Sequence, residues 1–520
     1  MHPPGVPAPA GQSSPTARRG RSKSRLAGAV MVCGTTSNAG KSTVVAGLCR
    51  HYARRGLRVA PFKAQNMSNN SAVTPSGHEI GRAQAWQAAA AGVDAEVSMN
   101  PVLLKPSGPG ASQVVVMGRP VGVMTAAEYH RHKPSLLATV LSALDDLRSR
   151  YDVVVLEGAG SPAEINLLDH DIVNLRVAHE AAIPALVVGD IDLGGVFAAL
   201  YGTVALLPDR YRPLVGGFVV NKFRGDPALL AGATEALQAR CGVPTLGVLP
   251  WLEGPALDGE DAMILERAGS DRPGSGRGRL LDVAVVRFPH LANFTDLDPL
   301  VVEPGISVRF VDDGRRVGQP DLLVLPGSKA TVADLGWLRS RGLARAVSDC
   351  STTVLGICAG YQMLGQVIED PDGVESSSRV TPGLAHVDAV TRFGPEKVTR
   401  RRRGRALGQK LHGYQIHHGR VSAAGRPLIE MEGNADGDGC EGRTPGGATV
   451  YGTTLHGLLE GDGFRAALLS EVGRRAGVPF APGGSFEAAR QLRIDTVADA
   501  VAAHLDLVAL DRLVASGGPR

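Results

Sequence analysis

The sequence predicts an α/β protein of two doubly wound domains, an N-terminal parallel-sheet domain with a P-loop and a C-terminal one built around a cysteine turn. Three observations predict it. Short apolar runs alternate with Gly-bearing turns and helical segments, and the pattern starts afresh near residue 281. A chain of 520 residues exceeds what one core supports. Its 43% hydrophobic but only 4% aromatic content, rich in Ala, Val, Leu and Gly, is that of α/β sheets. The net charge of +4 gives no reason to invoke nucleic acid or a membrane surface, and the basic run 400–403 reads as a solvated loop. Six cysteines (Cys33, Cys49, Cys241, Cys350, Cys358, Cys440) without CxxC pairing favour a reducing cytoplasm and give no metal signature. No apolar segment is long enough to span a bilayer.

Taken in order, residues 1–26 are rich in Pro, Ser, Gly and Arg and lack an apolar h-region, so we expect a disordered tail rather than a signal peptide. A first domain is expected over 27–252. There Gly34-Thr35-Thr36-Ser37-Asn38-Ala39-Gly40-Lys41-Ser42 follows the apolar Val30-Met31-Val32-Cys33 and opens a segment with Val44, Val45, Leu48, Cys49 and Tyr52 at helical spacing. That context is a phosphate cradle. Loop amides and the positive helix end meet phosphate oxygens, Lys41 reaches the outer phosphates, and the Ser42 hydroxyl serves Mg²⁺. Gly34, Asn38, Gly40, Lys41, Ser42 and Thr43 are the candidate phosphate contacts. Five residues separate Gly34 from Gly40, one more than in the common P-loop.

The following apolar runs end in chemistry. Run 57–62 ends at Lys63, run 151–156 at Glu157-Gly158-Ala159-Gly160, run 185–188 at Gly189-Asp190-Ile191-Asp192, and run 217–220 at Asn221-Lys222. In parallel sheets ligands bind beyond the carboxyl ends of strands, so these residues converge on the P-loop edge. Lys63 is a further phosphate contact, and Glu157 and Asp190 join Ser42 as Mg²⁺ candidates because Mg²⁺ binds through few carboxylates. Asp192 either shares that role or caps a helix. The stretch NKFRGD resembles an NKxD-type base-reading loop, with Asn221 its nucleotide contact.

Residues 253–280, poor in apolar periodicity, are expected as a linker, with a second domain over 281–505 and a short tail over 506–520. In that domain run 321–325 enters Pro326-Gly327-Ser328-Lys329, and run 353–357 enters Cys358-Ala359-Gly360-Tyr361-Gln362 before a helical run 361–368. A cysteine between a strand and a helix, among glycines, occupies a nucleophile elbow. The helix N-terminus favours its thiolate and nearby amides can hold an oxyanion. Run 450–455 ends at His456, a base for Cys358. His417 and His418, in a stretch read as irregular, are rivals that suit substrate contact or structure better. Segments 369–378 and 397–408 read as loops without a role.

These residues carry a resemblance. Through GICAGYQ around Cys358 and the TLHG at His456, the C-terminal half resembles the class I (triad) glutamine amidotransferases, which implies glutamine and oxyanion contacts at Gly327, Gly356, Ala359 and Gln362. Many such enzymes have a Glu two residues after the histidine; here Leu458 stands there and Glu460 two further on, so the third triad member stays open. The N-terminal half is similar to dethiobiotin synthetase, whose P-loop has the same longer spacing. The two in this order resemble the cobyric acid synthases of cobalamin biosynthesis, through PFKAQNM, EGAGSPAEINL, VGDIDLGGVFA, NFTDLDPL, LPGSKATVADL and GYQIHHGR among other stretches.

The resemblance implies ATP-driven, glutamine-dependent amidation of the b, d, e and g carboxylates of adenosylcobyrinic acid a,c-diamide. Its cofactors are then ATP and Mg²⁺, with no prosthetic group. Its partners are the small molecules corrin a,c-diamide, L-glutamine and ATP, with no nucleic acid or membrane, and a homo-oligomer stays open. The related a,c-diamide synthase, and a partition-type P-loop ATPase switch with an inactive amidotransferase-like domain, are the alternatives.

Overall fold

The computed structural model describes residues 26–108, 110–254, 257–258, 279–433 and 437–518. The expected N-terminal tail, apart from residue 26, and most of the expected linker lie outside the described residues.

The first domain is built on a six-stranded sheet, all parallel, in the order Thr245–Pro250, Val215–Phe223, Ala185–Asp190, Gly28–Gly34, Val153–Glu157, Val59–Phe62. The inner runs are rich in Val and Leu because both faces are covered. Chain order reverses at Gly28–Gly34, the central strand, and the P-loop leaves that switch point. The next helix, Lys41–Arg54, buries Val44, Val45, Leu48, Cys49 and Tyr52, the expected face. Beyond the sheet's carboxyl edge a four-stranded sheet (Gln65–Met67, Val102–Gly108, Ala111–Val116, Arg119–Thr125) and a hairpin (Ser71–Val73, Glu79–Gly81) reach toward the second domain.

The second domain has its own six-stranded sheet, in the order Ile306–Val311, Leu281–Val286, Leu322–Leu325, Thr353–Ile357, Thr449–Thr453, Cys440–Arg443, with only the last strand antiparallel. Three expectations fail here. The helix after Cys358 spans only Ala359–Leu364, and Val367–Glu369 is already a strand. Segment 397–408 and the stretch with His417 and His418 are mostly one long hairpin, Ala389–Ala406 paired with Gln409–Ala423. The hairpin's charges hid its two-residue period, since one of its faces is solvated and the other meets the first domain.

The third correction concerns the C-terminus. Residues 506–518 are no tail: helix Leu507–Ser516, capped by Asp506 side-chain bonds to Val508 and Ala509 N–H, follows helix Phe486–His504 back onto the first domain. Ile494, Val501, Leu505, Leu510 and Val514 share a core with Val30, Val44 and Leu48. Gly47 makes the close approach possible, since a Cβ there would stand 2.7 Å from Val501 and 3.0 Å from Val497. No helix among the described residues is long and apolar enough to cross a membrane.

Candidate active sites

The P-loop edge assembles as a charge cluster. Gly40 caps the helix at φ 96, a left-handed conformation that favours glycine, and a Cβ there would stand 2.1 Å from the Asn221 amide nitrogen. Lys41 folds back over the loop, donating to the carbonyls of Thr36 (2.8 Å), Ser37 (3.0 Å) and Gly160 (3.3 Å). Gly34 leaves room for that stem, because a Cβ would stand 3.0 Å from the Lys41 Cγ. Ser42 Oγ donates to Glu157 Oε1 at 2.9 Å, and Thr43 sits half-buried in the same turn. Glu157, fully buried, also accepts from Lys63 Nζ (2.8 Å) and Gln87 Nε2 (2.5 Å). Burial opposes its charge, but the Lys63 ammonium, with Gln87 and Lys41 beside it, holds its carboxyl below the usual range.

Lys63, Glu157 and Ser42 are thus brought together as expected. Asp190 stands apart from them in its bonding: it pairs with Lys222 at 2.6 Å and accepts from the Asp192 N–H. Lys222 in turn donates to the Asn38 carbonyl at 2.7 Å. Asp192 pairs with Arg224. Asn221, expected at a purine edge, instead donates from Nδ2 to the Ala39 carbonyl at 2.9 Å and braces the loop from the sheet. Gln87, which sequence reasoning missed, lies in an alanine-rich helix that carries no motif.

The second site forms at the carboxyl ends of Thr353–Ile357 and Thr449–Thr453. Cys358 sits at φ 51, ψ −108, a strained elbow for a residue with a Cβ, and its N–H donates to the Thr453 carbonyl at 2.8 Å. Gly360 is required, because a Cβ there would stand 1.9 Å from the Leu325 carbonyl. His456, buried, shares a cavity wall with Cys358, and its Nδ1 donates to Asp296 Oδ2 at 2.7 Å. Asp296 Oδ1 accepts from the Gly457 N–H at 2.8 Å. Burial works against an imidazolium here, but Asp296 and the Cys358 sulfur outweigh it and raise His456 to about 10.

Asp296 is therefore the carboxylate that orients the His456 ring, and it lies 160 residues from the histidine. Its one sequence trace is the stretch NFTDLDPL. Glu460 does not fill that place; it pairs with Arg82 (2.6 Å) and Arg490 (3.1 Å).

A cavity of about 60 Å³ opens on Cys358 and His456, lined also by Gly327, Gln362, Lys329 and Glu375. Gln362 is held by Thr331 and the Gly419 carbonyl. Gly356 does not line it, being closed against Tyr361 and Leu364, nor does Ala359, the first residue of the short helix. Burial lowers Lys329 and pushes Glu375 up to about 7. His417 lines the same cavity with both ring nitrogens buried and unbonded among the described residues. Burial holds it, like His418, down at about 4.

Lys105, from the first domain, completes the wall. It bonds Glu79 (2.5 Å), which also pairs with Lys397 of the long hairpin. The turn that carries Asp296 is pinned by the first domain as well. Ser71 N–H donates to Asn293 Oδ1 at 2.9 Å, and Phe294 N–H donates to Asn70 Oδ1 at 3.1 Å.

Comparison with known proteins agrees with this anatomy. Residues 30–261 match the CobQ/CobB/MinD/ParA nucleotide binding domain, and residues 282–464 match the CobB/CobQ-like glutamine amidotransferase domain. The chain is 50% identical over 507 residues to a cobyric acid synthase of Rhodococcus jostii, covering 96% of this chain and 98% of the relative. It is 49% identical to the cobyric acid synthase of Nocardia farcinica, covering 95% and 98%. A crystal structure of a glutamine amidotransferase aligns at 20% identity and a TM-score of 0.29, over 38% of this chain and 99% of that one. With a nucleotide cradle in one domain and a Cys358–His456–Asp296 relay in the other, the chain belongs to the cobyric acid synthase family, as an ATP-dependent amide ligase that draws its nitrogen from glutamine.

Proposed function

We propose that the chain amidates the b, d, e and g carboxylates of adenosylcobyrinic acid a,c-diamide, giving adenosylcobyric acid. Identity near one half over almost the whole chain supports the substrate. The observation that carries the chemistry is the Cys358–His456–Asp296 relay, whose aspartate turn is held by the phosphate-binding domain itself.

A carboxylate resists attack by ammonia because its charge is delocalised and oxide is a poor leaving group. Transfer of the ATP γ-phosphoryl to a carboxylate oxygen gives an acyl phosphate and ADP, with Lys41 and the loop amides neutralising charge on the phosphates. Meanwhile Cys358 passes its proton to His456 and its sulfur attacks the glutamine amide carbon. The His456 imidazolium protonates the departing nitrogen, and water then cleaves the thioester to glutamate. The released ammonia attacks the acyl carbon and expels phosphate.

The hydroxyl of Ser42 and the carboxylate of Glu157, in contact at the first helical turn, are hard oxygen donors that suit Mg²⁺. Bound there, the ion would neutralise phosphate charge. Asp190, engaged by Lys222, is a weaker candidate. The six cysteines, all free, support a reducing cytoplasm as the place of work.

The test is a mass ladder. With ATP, Mg²⁺ and glutamine, the a,c-diamide should advance through four successive amidations. If cobyrinic acid gained two amides while its a,c-diamide stayed untouched, the substrate assignment would fall. Cys358→Ala should abolish amidation from glutamine and retain it from ammonium salts.

A further inference from the structure

Between the domains lies a second, larger cavity, of about 1010 Å³. Three of its wall donors end without a hydrogen-bond partner among the described residues: Trp86 Nε1, Arg402 Nε and the Tyr414 hydroxyl. Trp86 and Tyr414 are each more than nine-tenths buried. Buried donors left unbonded are uncommon, and several around one cavity point to an absent acceptor. The charges agree. Of the wall carboxylates, Asp258 and Glu460 are already matched by Arg82 and Arg490 and Glu432 stands against three cations, Arg402, Arg403 and Lys410, that have no ion pair with the described residues, which leaves the wall net positive. Facing these cations are apolar surfaces of Ala85, Trp86 and Ala89, one face of helix Arg82–Ala91, and Leu411.

We propose that this cleft docks the corrin acid, a broad apolar ring edged with carboxylates. The assignment rests on the proposed function. The volume stands at the upper end for small-molecule pockets, as a macrocycle requires, while the nucleotide's phosphates have their own cradle at Lys41. The apolar helix face receives the ring plane, and Arg402, Arg403 and Lys410 receive carboxylates. The location lies between the two sites, where a carboxylate activated in one would meet the ammonia released in the other. Gln87, on the same helix, bonds Glu157 of the phosphate site, and Tyr414 stacks on the His456 ring at 5.5 Å. The basic run at 400–403, expected as a solvated loop, thereby becomes a recognition surface.

Equilibrium dialysis against cobyrinic acid a,c-diamide, read by corrin absorbance, tests this on the full chain. Replacing both arginines (Arg402→Ala with Arg403→Ala) should weaken corrin binding at least tenfold and flatten its salt dependence, with ATP affinity unmoved. The paired lysine variant (Arg402→Lys with Arg403→Lys) should recover most of the loss, which a merely unfolded variant would not. Corrin affinity equal to wild type in the alanine pair overturns the cleft assignment and leaves the proposed function standing. Wild-type protein that binds no corrin acid overturns both.

Discussion

At the residue scale, Asp296 decides what His456 can do. His456 keeps the proton it shares with Cys358 only when its other nitrogen is held as a donor, and Asp296 holds it. Asp296→Asn should cut glutamine hydrolysis by roughly 10²-fold or more, while amidation from ammonium salts persists; equal losses with both nitrogen sources would contradict the role. The same contact ties stability to pH. His456 is raised from its ordinary 6.5 to about 10, so its stabilisation is full below 6.5 and is lost as pH rises through about 10. Urea unfolding of Asp296→Asn should therefore show a shallower loss between neutral pH and 10 than wild type. Lys41→Ala should stop amidation from either nitrogen source.

At the element scale, the returning C-terminal helices complete the first domain's core. Strand Gly28–Gly34 lies under Val514, and helix Lys41–Arg54 lies against Val497 and Val501. The P-loop therefore stands on a strand and a helix buttressed by the far end of the chain. Gly47→Leu would drive a side chain into Val501, an overpacking that costs about 1–3 kcal/mol. Its chemical-denaturation midpoint should fall. An unchanged midpoint would mean the helix pair yields without cost.

At the scale of the whole molecule, the domains are joined through buried charge. Glu79, enclosed, takes both Lys105 and Lys397. Burial opposes its charge, but the two ammonium groups prevail and hold the carboxyl well below its ordinary 4.5. Glu79→Gln strands two buried lysines, and removing one partner of a buried ion pair costs about 3–5 kcal/mol. Because the folded carboxyl is depressed, its contribution is present above 4.5 and is lost as pH falls toward its native value. Wild type should thus lose stability on acidification more steeply than the variant, in paired unfolding curves.

Much of this was legible in the residues alone. The two parallel sheets, the phosphate cradle, the cysteine elbow and His456 all rest on local patterns, a strand followed by a turn of special composition, and such patterns need no knowledge of what packs nearby. Tertiary structure alone decided the rest. Asp296 and His456 meet across 160 residues, and no spacing rule connects them. Asn221 braces the phosphate loop because its amide meets a loop carbonyl, a contact no spacing rule foretells. The basic run lies in a long strand rather than a loop, with Arg400, Arg401 and Arg403 still exposed, and the sequence assigns helix Phe486–His504 to the second domain and 506–520 to a tail because only contact reveals which core a surface helix covers.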